Sequence, residues 1–222
     1  VYIMLTTKLI LFNDTENWYH FGCTATSHML KRQIKALGYY ALTSIPITET
    51  YKIKSVPEST EGFMQSQNFI TFSKVNEELI RLIHDCNIVI INGEGTLHGI
   101  RPAPIALLYI AYISKRFLGK QVGIINHSVY PQDNFSLDNP SITSLYKLVY
   151  DEIDVAAIRE PLSYKLMRKG LGIKAEESFD CMPLYIKDHF RFSHYKKHNM
   201  LLIAGSGALL NLMLPSERGN IC

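Results

Sequence analysis

Along this chain, apolar positions arrive in short unbroken runs separated by longer stretches of helical spacing. Residues 87–91, 121–126 and 155–158 are runs of mostly Ile, Val and Ala with little polar alternation. Such runs suit strands of a parallel sheet covered on both faces. Between and around them, residues 76–84, 103–118, 141–153 and 161–169 carry helical spacing, with Gly119 and Gly170 closing two helices and Pro161 at a first helical turn. Upstream, residues 8–12 read as a strand and residues 13–21 as a polar, aromatic loop. A helix over 24–37 follows, through Ala25, Met29, Ile34 and Leu37, stopped by Gly38. A second strand over 39–47 ends at Pro46, and the polar stretch to Ser73 reads as a long connection with a short helix, a candidate mobile flap. Residues 178–185 read as a last strand and exit. Alternating strand and helix units predict an α/β fold with a doubly wound, Rossmann-like parallel sheet.

This pattern occupies residues 1–195. Residues 191–199 are polar, and the apolar run 200–204 then leads into Gly205-Ser206-Gly207. Residues 196–222 therefore read as a linker and the first strand and turn of a second Rossmann-like domain. The Gly-Ser-Gly turn lacks the third glycine of a dinucleotide fingerprint. The chain starts at Val1 and ends soon after that turn, so it is read as a truncated fragment.

Composition narrows the class. The 222 residues are 47% hydrophobic and 19% charged, enough for one full core and the beginning of a second. Lys and Arg number 23 against 20 Asp and Glu, and outside Lys196-Lys197-His198 they are scattered. No nucleic-acid footprint results. Cys23, Cys86, Cys181 and Cys222 show neither C-x-x-C pairing nor zinc spacing, and read as structural thiols of a reducing compartment. Residues 103–113, the most apolar segment not broken by charge, are about half of what a bilayer crossing needs. With no signal peptide in the pattern either, the expectation is a cytoplasmic protein without a transmembrane segment, compatible with peripheral contact at the inner face of a membrane. No Asp-x-Asp pair and no His or carboxylate cluster at metal spacing occurs, so no metal or other cofactor is expected.

Candidate chemistry lies where strands end, because ligands of open α/β sheets bind beyond the carboxyl ends of the strands. Five polar segments converge there: Asn13-Asp14-Thr15 with Trp18 to Gly22, Asn92 to Gly99, Asn126 to Pro131, Arg159-Glu160-Pro161 with Ser163, and Phe179-Asp180. Glu94 suits a base or a hydrogen-bond acceptor for a sugar hydroxyl, and equally a carboxylate bonding nearby amides. His127 and His98 follow buried strands and suit proton transfer, or simply tie down loops. His20 is a third such histidine. Arg159 presents a guanidinium fork suited to carboxylate or phosphate, or else an ion pair with Glu160 or Asp180. Trp18, Tyr19 and Phe21 offer either a stacking face for a sugar ring or packing for their loop.

Taken in order, Asn13-Asp14-Thr15, His20-Phe21-Gly22-Cys23-Thr24, Ile90-Ile91-Asn92-Gly93-Glu94-Gly95-Thr96, Gly119-Lys120, Ala157-Ile158-Arg159-Glu160-Pro161 with Ser163, and Ser178-Phe179-Asp180 resemble the polysaccharide pyruvyl transferase family. The resemblance covers roughly residues 7–210 and rests on motif order and spacing. It implies one half of a GT-B-like fold and transfer of pyruvyl from phosphoenolpyruvate to a sugar of a cell-surface glycan, as in exopolysaccharide biosynthesis. It further implies a glycan or lipid-linked sugar as acceptor, with no statement on oligomeric state. Under it, Arg159, Gly95, Thr96 and Ser163 bind the donor, Trp18, Tyr19 and His20 face the acceptor, and His127 or His98 acts as acid with Glu94 or Asp14 as base. The sequence departs from the family at His20, where many members carry Asn, around Glu94, where they are more glycine-rich, and in lacking most of the second domain. Such a fragment is expected to be inactive alone. A GT-B glycosyltransferase using a sugar nucleotide, or a non-catalytic glycan-binding fragment, are the alternative readings.

Overall fold

The computed structural model of the protein describes residues 7–99, 101–128 and 140–191, and within them the apolar runs form one parallel sheet. Its strands are β1 (Lys8–Asp14), β2 (Ala41–Pro46), β3 (Ile88–Glu94), β4 (Gln121–His127), β5 (Val155–Ile158) and β6 (Glu176–Glu177), in the order β2-β1-β3-β4-β5-β6. Register aligns Ile10 with Val89, Phe12 with Ile91, Ile91 with Ile124, and Glu94 with His127. The strand order reverses between β1 and β3. At such a switch point, connections leave in opposite directions and open a crevice beyond the strand ends.

The helices are α1 (Phe21–Ala36), α2 (Ile47–Thr50), α3 (Thr60–Met64), α4 (Ser66–Val75), α5 (Glu77–Asp85), α6 (Pro102–Arg116), α7 (Pro140–Glu152), α8 (Pro161–Lys165, continued by a π turn over Leu166–Gly170) and α9 (Met182–His189). Side chains alternate across β1: Ile10 and Phe12 enter a core shared with Val89, Ile91, Ile124 and α6, while Leu9 and Leu11 meet Leu30 and Ile34 of α1 on the other face. Helix α6 is buried from Ala103 through Ser114. That explains why its sequence is apolar on every side, since it is enclosed by the sheet, α3 and α7. These elements lie in one compact unit ending at His189. Among the described residues, no helix is long and apolar enough to cross a membrane.

Two sequence expectations change. The connection over 47–73 is a packed helical cover, α2 to α4, and not a flap. Phe63 and Phe72 are fully buried, with ring centroids 4.8 Å and 5.0 Å from Tyr109, and Ser59 caps α3 by accepting the Gly62 N–H at 3.0 Å. A few aromatic anchors among many polar residues supply the hydrophobic contact here. Residues 178–185 do not extend the sheet: β6 stops at Glu177, and the Asp180 carboxylate accepts the Met182 N–H at 2.8 Å where α9 begins. Residues 196–222, read as the start of a second domain, lie outside the described residues, as do Val129, Tyr130 and Pro131 of the β4 strand-end segment.

Candidate functional site

Three neighbouring strands end in backbone that side chains rarely adopt. Asn13 lies at φ 60° one residue before the end of β1, Glu94 closes β3 at φ 32°, and Asn126 lies at φ 55° one residue before the end of β4. Positive φ suits Asn better than Glu, and it persists only where surroundings determine it. Here a buried amide ladder does so. Asn13 Nδ2 donates to the Asn92 carbonyl at 2.6 Å, Asn92 Nδ2 returns a bond to the Asn13 carbonyl at 3.2 Å, and Asn126 Nδ2 donates to Asn92 Oδ1 at 2.9 Å. Gly93 lets β4 come close: a Cβ there would stand 2.0 Å from the Cβ of His127.

Beside this ladder, at the β1/β3 switch point, opens a cleft of about 360 Å³. Glu94 lines it although only 7% exposed, and accepts a hydrogen bond from Thr15 Oγ1 at 2.9 Å. Trp18 and Tyr19 form an aromatic wall with centroids 5.0 Å apart, extended by Tyr51 at 6.4 Å from Trp18. Gly95, Thr96, His98, Arg101 and the first turn of α6 complete the lining. Thr96 is anchored, its N–H donating to the Gly93 carbonyl at 3.0 Å and its hydroxyl to Asn13 Oδ1 at 3.3 Å. Arg101 Nη2 lies 2.8 Å from His98 Nδ1. Cys23 also lines the cleft. Burial, then hydrogen bonding to Glu94 and its charge, push the thiol up to about 12, so Cys23 stays protonated. The combination of a carboxylate, a histidine, an arginine beside that histidine and aromatic faces suits a polyhydroxyl ring.

The cleft thus unites Glu94, Gly95, Thr96 and His98 with Trp18 and Tyr19, and the other sequence candidates lie elsewhere. His127 is fully buried, its Nε2 is 2.7 Å from the Tyr150 hydroxyl, and burial together with the Arg159 charge pushes the imidazole down to about 3. A ring that stays neutral and sealed from solvent is a poor proton donor to a ligand. Asp14 is 8% exposed and engaged by Lys31 Nζ at 2.6 Å and Ser44 Oγ at 2.5 Å. Burial opposes its ionisation, yet these bonds outweigh it and hold the carboxyl below its ordinary value. Asp14 therefore fastens β1 to α1 and β2. Arg159 Nη1 donates to Asp180 Oδ2 at 2.9 Å and its Nε to Ser128 Oγ at 3.3 Å, while Glu160 caps α8 by accepting the Leu162 and Ser163 N–H groups. Ser163 is fully buried in that turn. His20 stands at the start of α1, with Nδ1 3.6 Å from Cys23 Sγ. Among the described residues no group of His, Cys, Asp and Glu could hold a metal ion.

Tyr51 and Arg101 line the cleft and Ser27 supports it, and none of the three stands out in the sequence, whereas Asn92 opens the strand-end segment Asn92 to Gly99. Tyr51 sits in the polar connection after β2, and Ser27 looks like an ordinary residue of α1. The Asn repeated near three strand ends, Asn13, Asn92 and Asn126, is the sequence signature of this support.

A family model described as polysaccharide pyruvyl transferase matches residues 13–212. No curated protein and no solved structure matches the chain.

Proposed function

The chain belongs to the polysaccharide pyruvyl transferase family, and from that membership we propose that it transfers pyruvyl from phosphoenolpyruvate to a pair of hydroxyls on a glycan or lipid-linked sugar, forming a ketal. The family implies a glycan acceptor, and the observation that carries the reading here is the Glu94 carboxylate lining an aromatic-walled cleft at the switch point. A sugar ring stacks its C–H face on Trp18 and Tyr19, with its hydroxyls toward Glu94.

The chemistry follows from the atoms. The methylene carbon of the donor takes a proton, C2 becomes electrophilic, and a sugar hydroxyl bonds to C2 as it gives up its proton. The C2–O bond to phosphate then breaks, phosphate leaves with a proton, and the second hydroxyl closes the ketal at C2. Two hydroxyl protons are lost, one replacing that delivered to carbon and one leaving with phosphate. Glu94 is the proposed base and His98, in the same cleft, the proposed acid. Arg159 is the proposed donor anchor, because its described partners use two of five guanidinium donors. The proposed setting is the cytoplasm, where a lipid-linked acceptor meets the inner face of a membrane.

The test is phosphate release from phosphoenolpyruvate by the full chain, with and without a galactose- or mannose-type glycan. Acceptor-dependent release is expected, and Glu94→Gln lowers kcat by roughly 10²- to 10⁴-fold. Release that ignores the acceptor, or binding of a sugar nucleotide in place of phosphoenolpyruvate, overturns the reading.

A further inference from the structure

Glu94 is held by more than its own backbone. We infer that Thr15 is the positioning residue for the Glu94 carboxylate, its hydroxyl proton directed onto Oε2 by a one-way hydrogen-bond chain through Asn92 and Ser27. The inference rests on the proposed role of Glu94 as base.

The direction follows from which groups can donate. A backbone carbonyl only accepts, so the Asn92 side-chain atom 3.2 Å from the Asn13 carbonyl is the amide nitrogen. That nitrogen sends its other proton to Ser27 Oγ at 3.1 Å, while Asn92 Oδ1 accepts from Asn126. Ser27 Oγ also accepts the Thr15 backbone N–H at 3.0 Å. A hydroxyl oxygen has two lone pairs, and both are now used. The Ser27 proton therefore goes to Thr15 Oγ1, 2.7 Å away. Thr15 keeps its own proton to give, and two acceptors are in reach: Glu94 Oε2 at 2.9 Å and the Cys23 carbonyl at 3.0 Å. The Cys23 carbonyl lies within α1, whose i→i+4 ladder uses it. An ionised carboxylate is also the stronger acceptor.

Thr15, Ser27 and Asn92 are all essentially sealed from solvent, at 1%, 0% and 0% exposure. Water cannot substitute for a missing member, and the chain cannot reverse without leaving two donors facing each other. A donor fixed on Oε2 leaves that oxygen able only to accept, which matches a carboxylate and not a carboxylic acid carrying its proton there. It also ties the carboxylate to the positive-φ backbone of Glu94 through β1 and α1, so three elements agree on one orientation.

The first arm of the test needs no turnover. In proton NMR of the full chain, the buried hydroxyl protons of Thr15 and Ser27 exchange slowly, and Glu94→Gln moves the Thr15 resonance upfield while leaving that of Ser27 in place. A Thr15 resonance indifferent to Glu94→Gln overturns the inference. In the second arm, Thr15→Val lowers kcat about tenfold with the acceptor KM unchanged, and shifts the acidic limb of kcat against pH upward by about one pH unit. Thr15→Ser restores both. A uniform loss at every pH that Thr15→Ser does not restore means a merely structural role and overturns it. Full turnover by Glu94→Gln removes the base reading alone, since the resonance shift is read independently of it.

Discussion

Gly93 and Gly95 flank the same glutamate, yet they answer different needs. A methyl group on Gly93 would run into His127, whereas one on Gly95 meets nothing within 4 Å. Gly93→Ala is therefore expected to destabilise the fold by about 1–3 kcal/mol through overpacking, and Gly95→Ala by less than about 0.5 kcal/mol. Denaturant midpoints of the two variants at equal slope measure the contrast. In sequence the two glycines look equivalent, and so do His98 and His127, each in a polar segment that follows an apolar run. What separates the histidines is which one β4 tucks over Gly93, a contact between residues 34 positions apart in register with β3. Glu94 was legible as a strand-end carboxylate. Thr15 and Asn92 both stand in strand-end motifs visible in the sequence, but Ser27 and the hydrogen-bond chain that links them depend on three segments meeting.

At the scale of elements, charge fastens β1 to α1. Lys31 reaches both Asp14, at 2.6 Å, and Glu16, and Glu16 in turn meets His28 at 2.7 Å. Burial opposes ionisation of the two carboxyls and of Lys31. The bonds within the cluster outweigh it, lowering Asp14 and Glu16 below 3.8 and 4.5 and raising Lys31 above 10.5. Depressed carboxyls stabilise the fold above their unfolded values and lose that contribution as pH falls through the folded ones. A raised lysine contributes fully below 10.5 and is lost as pH climbs through its folded value. Lys31→Met should thus lower the denaturant midpoint at pH 7, and its difference from the unaltered chain should shrink once both carboxyls are protonated. A difference of equal size at pH 7 and pH 2 would assign the effect to packing of the lysine stem. Helices and strands with strong periodicity were legible within a few residues of their ends. The α3–α4 cover was not, because Phe63 and Phe72 sit among polar neighbours and declare themselves only against Tyr109 of α6.

For the whole molecule, the order of the strands matters more than their number. Alternating strand and helix segments announce a parallel sheet, but the sequence pattern is silent on which strand is central, and it is the reversal between β1 and β3 that places Asn13, Thr15, Asn92 and Glu94 together. The strand-end segments take different places along the edge where the strands end. Those of β1 and β3 make the cleft, while Arg159 joins Asp180 and Ser128 past the ends of β4 and β5, close enough for its charge to act on Cys23 in the cleft lining.

The cleft wall has one more property. The chain contains a single tryptophan, Trp18, and it is part of that wall. Its emission is consequently an optical gauge of cleft occupancy, with no second indole to blur the signal. Titration with a galactose- or mannose-type oligosaccharide should change Trp18 emission saturably, and Tyr19→Ala should weaken the apparent affinity about tenfold, in keeping with the loss of one aromatic face. Emission unmoved by any glycan would mean that sugars dock elsewhere. The protein thus reports on its own ligand without a label, which lets acceptors be ranked before any donor is added.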